Sequence, residues 1–513
     1  PTQPYTRFSQ SPSLVLKQNT VSLERKMYAI GVDSGTQGTK VLVTDFMGNI
    51  LGRGFAPHRL IEGLQPGESE QDPRLWMEAF EKALLEALKS GKVEPSKIVC
   101  LGISGQQHGF VPLNEKGEPI RPAKLWNDTS TVEETEMIVK KLGGTRSFIR
   151  KLGINLAVGF TASKILWLKR REPHNYRLLS TVLLPHNYIN FCLTGKRHME
   201  YGDASGTGLM EIRKRQWHKE GVKAIGSELA EKLPPLSHPA EPVGYVKEEI
   251  AKRLGMGKVL LASGGGDNMM GAIGTGNIEP GLCTLSLGTS GTIYSFFSEP
   301  FIDPQGEIAA FCDSTGGWLP LLCTMNVTNT SEYFRALFNI SNEELESLAS
   351  FAPCGAEGLV FLPFIDGERV PVLPFSSGVF FGLNRKNFNP AFMARSVMEG
   401  TIINLGYGFS RMKDLGLKPS EIRATGGGAR SKLWLQISAD IFKTPVVTLK
   451  EQEAAAFGAA IQSIWNYFLA KGEKVKIQEI CRKMVKLGEL RVEPQPKNFP
   501  TYEKLQRRFN SLW

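Results

Sequence analysis

The same short loop stands twice in this chain, each time between two strand-like runs. Gly35-Thr36-Gln37-Gly38-Thr39 joins MYAIGVD to KVLVTDFMGN, and Gly288-Thr289-Ser290-Gly291-Thr292 joins LCTLSL to IYSFFSE. Apolar and β-branched residues bounded by glycine predict strand–turn–strand hairpins. One copy could be a chance turn. Two copies in equivalent settings predict two lobes of common ancestry. Between and after them, strands alternate with helices. A helix is predicted from Asp72-Pro73 to Gly91, with Trp76, Phe80, Leu84 and Leu88 on one face. Strands are predicted at 97–104, 258–263, 318–323, 359–362 and 421–425, and helices at 132–142, 433–442 and 454–467. That alternation is the mark of an α/β architecture. The lobes are expected to span 27–257 and 258–475, followed by a helical segment, 476–513, packing back on the core. Residues 1–26 read as a disordered leader or a transit-like segment, because a natural reading starts at Met27.

Composition narrows the class. Of 513 residues, 41% are hydrophobic and 22% charged, ordinary globular usage that excludes a disordered or coiled-coil chain. Lys and Arg exceed Asp and Glu by 61 to 51, a net +10. The densest basic runs, Lys169-Arg170-Arg171 and Lys214–Lys219, are short and separate, so no nucleic-acid partner is expected. The seven cysteines form no C-x-x-C pair and no zinc spacing, which predicts a reducing compartment. No apolar run approaches the ~20 residues of a membrane span. The expectation is a soluble, cytoplasmic protein without a membrane partner, organelle targeting through 1–26 being the alternative.

The chemistry sits in glycine loops and acids. A Gly-Thr-x-Gly-Thr turn suits polyphosphate, because glycines admit the anion to backbone N–H groups and threonines add uncharged donors. A plain hairpin turn is the other reading of a single copy. Asp33, ahead of the first loop, fits a Mg²⁺ ligand working through water, or a turn cap. No G-x-x-x-x-G-K-[ST] and no G-x-G-x-x-G occur, so phosphate binding rests on the paired hairpins. Ser263-Gly264-Gly265-Gly266-Asp267-Asn268 follows a strand and opens a helix. Asp267 is there either an N-cap or a general base that takes a proton from a sugar hydroxyl attacking a γ-phosphate. Gly426-Gly427-Gly428-Ala429-Arg430 ends another strand, and fits either adenosine or phosphate or a close-packing turn. Gly105-Gln106-Gln107-His108-Gly109 and Trp126-Asn127-Asp128 offer the hydrogen-bonding groups and aromatic face of a polyol pocket.

These strings together resemble the FGGY carbohydrate kinases, and among their branches those acting on xylulose. The resemblance runs from Tyr28 to about Ser463. It is carried by IGVDSGTQGTKV at 30–41, SEQDP at 69–73, GQQHG at 105–109, LWND at 125–128, GFTASKILW at 159–167 and GGGDN at 264–268. LSLGTSG at 285–291, FLPFIDGERVP at 361–371, GVFFGL at 378–383 and GGGARSKLW at 426–434 continue it. It implies two RNase H-like lobes of the actin and hexokinase type, with ATP in the cleft between them. It implies phosphorylation of D-xylulose by ATP and Mg²⁺, with Asp267 as base and Asp33 near the metal. Gln107, His108 and Asn268 fall where the family contacts the ketose, with Trp126 and Asp128 lining the sugar side. ATP would lie on Gly35, Thr36, Gln37, Thr39 and Lys40, on Gly288 to Gly291, and on Gly426 to Ala429. Phe392 departs from the family's second signature, and Gln107 stands where bacterial members often have methionine. Glu368 and Arg369 match a family string without an assigned role. The resemblance allows a homodimer. A ribulose, sedoheptulose, glycerol or sugar-acid kinase is the near alternative, and a non-enzymatic ATP switch of the actin and chaperone type the distant one.

Overall fold

A computed structural model describes residues 27–513, so the leader expected at 1–26 lies outside the described residues. Each hairpin is the heart of a sheet. In the first, β1 (Tyr28–Ser34) runs antiparallel to β2 (Gly38–Asp45), and Gly35 N–H closes the turn on Gly38 C=O at 3.0 Å. Outward lies β3 (Ile50–Pro57); inward, β1 pairs in parallel with β4 (Ile98–Gly105), and β4 with β5 (Leu260–Leu261). The second sheet repeats that order, with β6 (Leu282–Leu287) central, β7 (Gly291–Ser295) and β8 (Trp318–Thr324) on one side, and β9 (Glu421–Thr425) and β10 (Val446–Leu449) on the other. Both lobes thus carry the order 3-2-1-4-5 with the same antiparallel and parallel neighbours. The expected pair of RNase H-like lobes is what the chain folds into.

Helices fill the crossovers. In the first lobe these are α1 (Arg74–Gly91), α2 (Pro185–Thr194) and α3 (Asp267–Thr275); in the second, α4 (Pro390–Asp414), α5 (Lys432–Phe442) and α6 (Ala454–Ala470). The predicted face of α1 is buried through Trp76, Phe80, Leu84 and Leu88. Pro73 stands one position earlier than expected, at the N-cap, and the Asp72 carboxylate accepts the Arg74 N–H at 3.0 Å.

The last helix of each lobe crosses the other at a pair of glycines. A Cβ on Gly274 would lie 1.8 Å from the Ala454 carbonyl oxygen, and one on Gly458 1.8 Å from that of Met270. Only glycine lets two backbones approach so closely, and AAAFGAA at 454–460 is this crossing. Around it Met270, Ile273, Phe457 and Ile461 form an apolar layer that joins the lobes.

Two expectations change. Beyond the boundary expected before Lys258, β5 and the Gly265–Gly266 pair still hydrogen-bond to β4, so the first sheet continues to the start of α3. The 476–513 segment is not wholly helical: between α7 (Ile477–Met484) and α8 (Phe499–Asn510), β11 (Leu487–Val492) runs antiparallel along β10. It is an edge strand with alternate residues exposed, and its Glu489 and Arg491 read as helical surface. Both helices bury apolar residues, among them Ile480, Met484, Tyr502 and Phe509. No helix among the described residues is long and apolar enough to cross a membrane. The basic run at 169–171 is met by acids: Lys169 by Glu228, and Arg170 and Arg171 by Glu133.

Candidate active site

Register brings three distant segments to one sheet edge. In the parallel ladder Asp33 lies opposite Ser104 and Ser34 opposite Gly105, while Gly265 and Gly266 also pair with Ser104 and Gly105. Asp33, the Gln106-Gln107-His108 loop and Asp267 therefore emerge together at the carboxyl ends of their strands, where open α/β sheets bind ligands.

Asp267 is half-buried in the first turn of α3. Its Oδ1 accepts two hydrogen bonds from Asn268, from the backbone N–H at 2.8 Å and from Nδ2 at 3.0 Å. Oδ2 has no partner among the described residues. Burial, then the charge of Asp33, push this carboxyl up to about 7, Asp203 adding to the effect. A carboxylate near neutrality, with one free oxygen at a helix start, suits proton abstraction better than capping. Asp33 Oδ1 accepts from the Ser104 hydroxyl at 2.9 Å, and burial raises this carboxyl as well. Two carboxylates that feel each other at one sheet edge favour a cation. Among the described residues no group of three or more His, Cys, Asp or Glu could hold a metal. Mg²⁺ carried on phosphates needs only one or two carboxylates, and Asp33 fits that demand.

His108 adopts a left-handed backbone, φ 60°. Its ring packs against Phe160 and Phe311, with centroids 4.4 and 5.6 Å away. Gly206 leaves the room, since a Cβ there would meet the ring at 2.3 Å. Burial, helped by the charges of Lys164 and Arg369, lowers the imidazole to about 3, so it is neutral. Its Nδ1 is buried without a hydrogen-bond partner among the described residues. Trp126 donates its indole N–H to Thr36 Oγ1 at 3.0 Å, and the Arg369 guanidinium of the second lobe lies 5.7 Å from its ring. Arg369 makes no ion pair with a carboxylate among the described residues. The buried Glu368 carboxylate beside it accepts from the backbone N–H groups of Met325 and Arg369, both at 2.7 Å, and from Asn404 at 3.1 Å. Glu368 thus pins the loop that presents Arg369.

Several sequence-based assignments shift. Asp128 is fully buried: its Oδ2 accepts from Ser69 N–H and Lys124 Nζ, both at 3.0 Å, and its Oδ1 from the Ser130 hydroxyl. It faces the lobe interior, not the sugar side, because the buried Lys124 needs a counter-charge. The Lys40 ammonium is taken by Glu453 at 2.6 Å, across the lobes. Thr39 is buried with its hydroxyl on Ser34 at 3.1 Å. Thr36 and Gln37 remain at the turn, where Gln71 Nε2 and Gln106 Oε1 brace Thr36. In the second hairpin Thr289 is exposed, and Val327 and Thr328 N–H groups hold the Thr289 and Gly288 carbonyls at 3.0 Å. Gly426 lies beside it with φ 85°, and a Cβ on Gly427 would meet open space. Gly428 and Ala429 are buried, Gly428 against Leu287 and Trp434, so they support the loop from behind.

Other residues had drawn no attention in the sequence. Ser104 anchors Asp33, and Glu453 engages Lys40. Behind His108 lie Glu200, Asp203 and His186, all fully buried. Glu200 caps the short helix 201–204, accepting the Gly202 and Asp203 N–H groups. Burial raises the carboxyls of Glu200 and Asp203 to about 8. A lone carboxylate within the small-residue run Gly202-Asp203-Ala204-Ser205-Gly206 was the available signal.

Residues 28–274 match the N-terminal domain, and 283–467 the C-terminal domain, of the FGGY family of carbohydrate kinases. The chain belongs to that family. It is 44% identical over 468 residues to the xylulose kinase of Haemophilus influenzae, covering 90% of this chain and 94% of that one. A ligand-bound xylulose kinase from Lactobacillus acidophilus superposes with a TM-score of 0.88 at 28% identity, covering 95% of this chain and 97% of that one. A gluconate kinase from the same organism gives 0.88 at 27%, with the same coverage. The fold is that of the actin and hexokinase type of ATPase, and the chain is a carbohydrate kinase that phosphorylates a sugar from ATP.

Proposed function

We propose that the sugar is D-xylulose, phosphorylated by ATP to D-xylulose 5-phosphate, with Asp267 as general base. The observation that carries the reading is the Asp267 carboxyl: one oxygen is saturated by Asn268, and the other is free at the sheet edge it shares with Asp33 and the loop after β4. A sugar hydroxyl is a poor nucleophile at neutral pH. Oδ2 accepts its proton as the oxygen bonds to the γ-phosphorus, and the bond to the β-phosphate oxygen breaks with ADP leaving. Neutral His108 and Asn268 hold the hydroxyls, and Trp126 gives the carbon skeleton a flat wall. Gly35 to Gln37 and Gly288 to Gly291 line the phosphates, and Gly426 and Gly427 the nucleoside side. Mg²⁺, held on the phosphates and by Asp33, would supply charge neutralisation.

The likeness to named xylulose kinases, at 44% identity in one case, supports the ketopentose. A sugar acid is the second reading, favoured by the unpaired Arg369 beside Trp126 and by the likeness to a gluconate kinase. A coupled ADP-release assay on D-xylulose, D-ribulose, sedoheptulose, glycerol and gluconate decides between them. D-Xylulose is expected to give the highest kcat/KM. A higher value for gluconate would replace the substrate, and ADP release unaffected by any of the five would favour an ATP switch.

A further inference from the structure

Gln107 occupies the expected sugar wall, yet it is almost wholly buried, 5% exposed. Its Oε1 accepts from Asn268 Nδ2 at 2.8 Å. That same Nδ2 donates its other hydrogen to Asp267 Oδ1. The stem of Gln107 is pressed on Gly266, where a Cβ would fall 2.6 Å from Gln107 Cγ. At the other end of the amide, Gln107 faces the Asp203 carboxyl and lowers it, although neither Gln107 Nε2 nor Asp203 Oδ1 closes an ordinary hydrogen bond. Asp203 Oδ2 lies 2.9 Å from His186 Nδ1. Asn187 Nδ2 stands 2.8 Å from His186 Nε2. An amide nitrogen only donates, so Nε2 accepts and the imidazole proton sits on Nδ1, given to Asp203. The side chains form one line: Asn187, His186, Asp203, Gln107, Asn268, Asp267.

We propose that this line is a polar strut, and that Gln107 is a positioning residue within it instead of a sugar contact. The Gln107 amide turns Oε1 toward Asn268 and Nε2 toward the buried Asp203 carboxyl. Oε1 in turn fixes Asn268, whose amide holds Asp267 Oδ1 and leaves Oδ2 as the oxygen that meets substrate. Without the strut, Asn268 can flip its amide and the carboxylate can rotate. Near-attack geometry is then lost, while His108 and Trp126 still hold the sugar. The pair Gln107 Nε2 and Asp203 Oδ1 is the gap in the line, since neither atom has a hydrogen-bond partner among the described residues.

The inference rests on Asp267 acting as the base in a sugar kinase. Its test is the split between kcat and sugar affinity in Gln107→Met, which keeps the volume of the stem and removes both amide groups. Asp203→Asn is the second variant, since it alters the far end of the line without touching the cleft. The sugar is whichever polyol the wild-type chain phosphorylates best, and its dissociation constant is measured without nucleotide. Both variants should lose at least ~10-fold in kcat, with the dissociation constant and KM for sugar within ~3-fold of wild type. A KM and dissociation constant raised more than ~10-fold with kcat retained would make Gln107 a sugar contact and overturn the strut. Unchanged kinetics in both folded variants would overturn it too. Wild-type chain inactive on every polyol would instead overturn the kinase reading, an outcome that leaves these comparisons distinct.

Discussion

The two lobes share one scaffold and use it differently. Where β1 ends in Asp33-Ser34 before its Gly-Thr loop, β6 ends in Ser286-Leu287 before the other. The loop after β4 carries Gln107 and His108; the matching loop after β9 is Gly426-Gly427-Gly428-Ala429. At the start of α3 the acid Asp267 is left with a free oxygen. At the start of α6 the nearby acid Glu453 is spent on Lys40 of the first lobe. The first lobe's edge is thus a set of titratable and hydrogen-bonding side chains, and the second's is mostly bare backbone. Backbone N–H groups suit a polyphosphate whose shape never varies, whereas placed side chains suit a polyol and a proton transfer. The two lobes share the frame, and the division of labour lies in a few strand-end residues.

That contrast can be broken at the glycines first. Those at the α3–α6 crossing and those in the hairpins should fail differently. Gly458→Ala puts a methyl 1.8 Å from the Met270 carbonyl oxygen and should lower stability by about 3 kcal/mol, read as a shifted denaturant midpoint. A midpoint unchanged from wild type would mean that the helices do not meet there. At Gly288 a Cβ would meet nothing closer than 3.4 Å, so the fold should tolerate Gly288→Val. The side chain would instead stand where phosphate approaches, and the KM for ATP should rise by at least ~10-fold with sugar binding unchanged. Normal ATP kinetics would remove phosphate from that loop. Glu453→Gln should do least. The pair with Lys40 is roughly two-fifths exposed, so its loss should cost under ~1 kcal/mol, with KM for ATP within ~3-fold. A large rise in that KM would show that Lys40 must be held for phosphate binding.

Much of this was legible in the residues. The hairpins and the triple-glycine turn are local patterns, because glycine spacing and strand alternation express backbone demands directly. The position of Asp267 at a helix start was legible for the same reason. What was not legible depends on which way a side chain turns. Asp128 stands beside Trp126 in sequence, yet it turns inward to neutralise Lys124, a partner chosen by burial and not by spacing. Lys40 reads as a phosphate ligand until the chain brings Glu453 beside it. Asp203, distant from Gln107 in sequence, comes to face it only through packing of the 130–230 region. β11 was hidden because an edge strand shows charge on one face, and a charged alternation resembles a helix surface.

The pH dependence of kcat/KM for the sugar in Asp267→Asn, set beside the wild type, tests the central claim most directly. The wild-type value should fall about tenfold per pH unit below about 7, where burial and the neighbouring Asp33 charge place the carboxyl, because only the ionised form accepts the proton. In Asp267→Asn that acid limb should vanish, and kcat at pH 8 should be lower by at least ~10², about 3 kcal/mol, in a protein of unchanged melting temperature. Asparagine caps a helix nearly as well as aspartate, so a capping role predicts no loss of rate. A variant that keeps the wild-type kcat, or the same acid limb, would contradict Asp267 as the base.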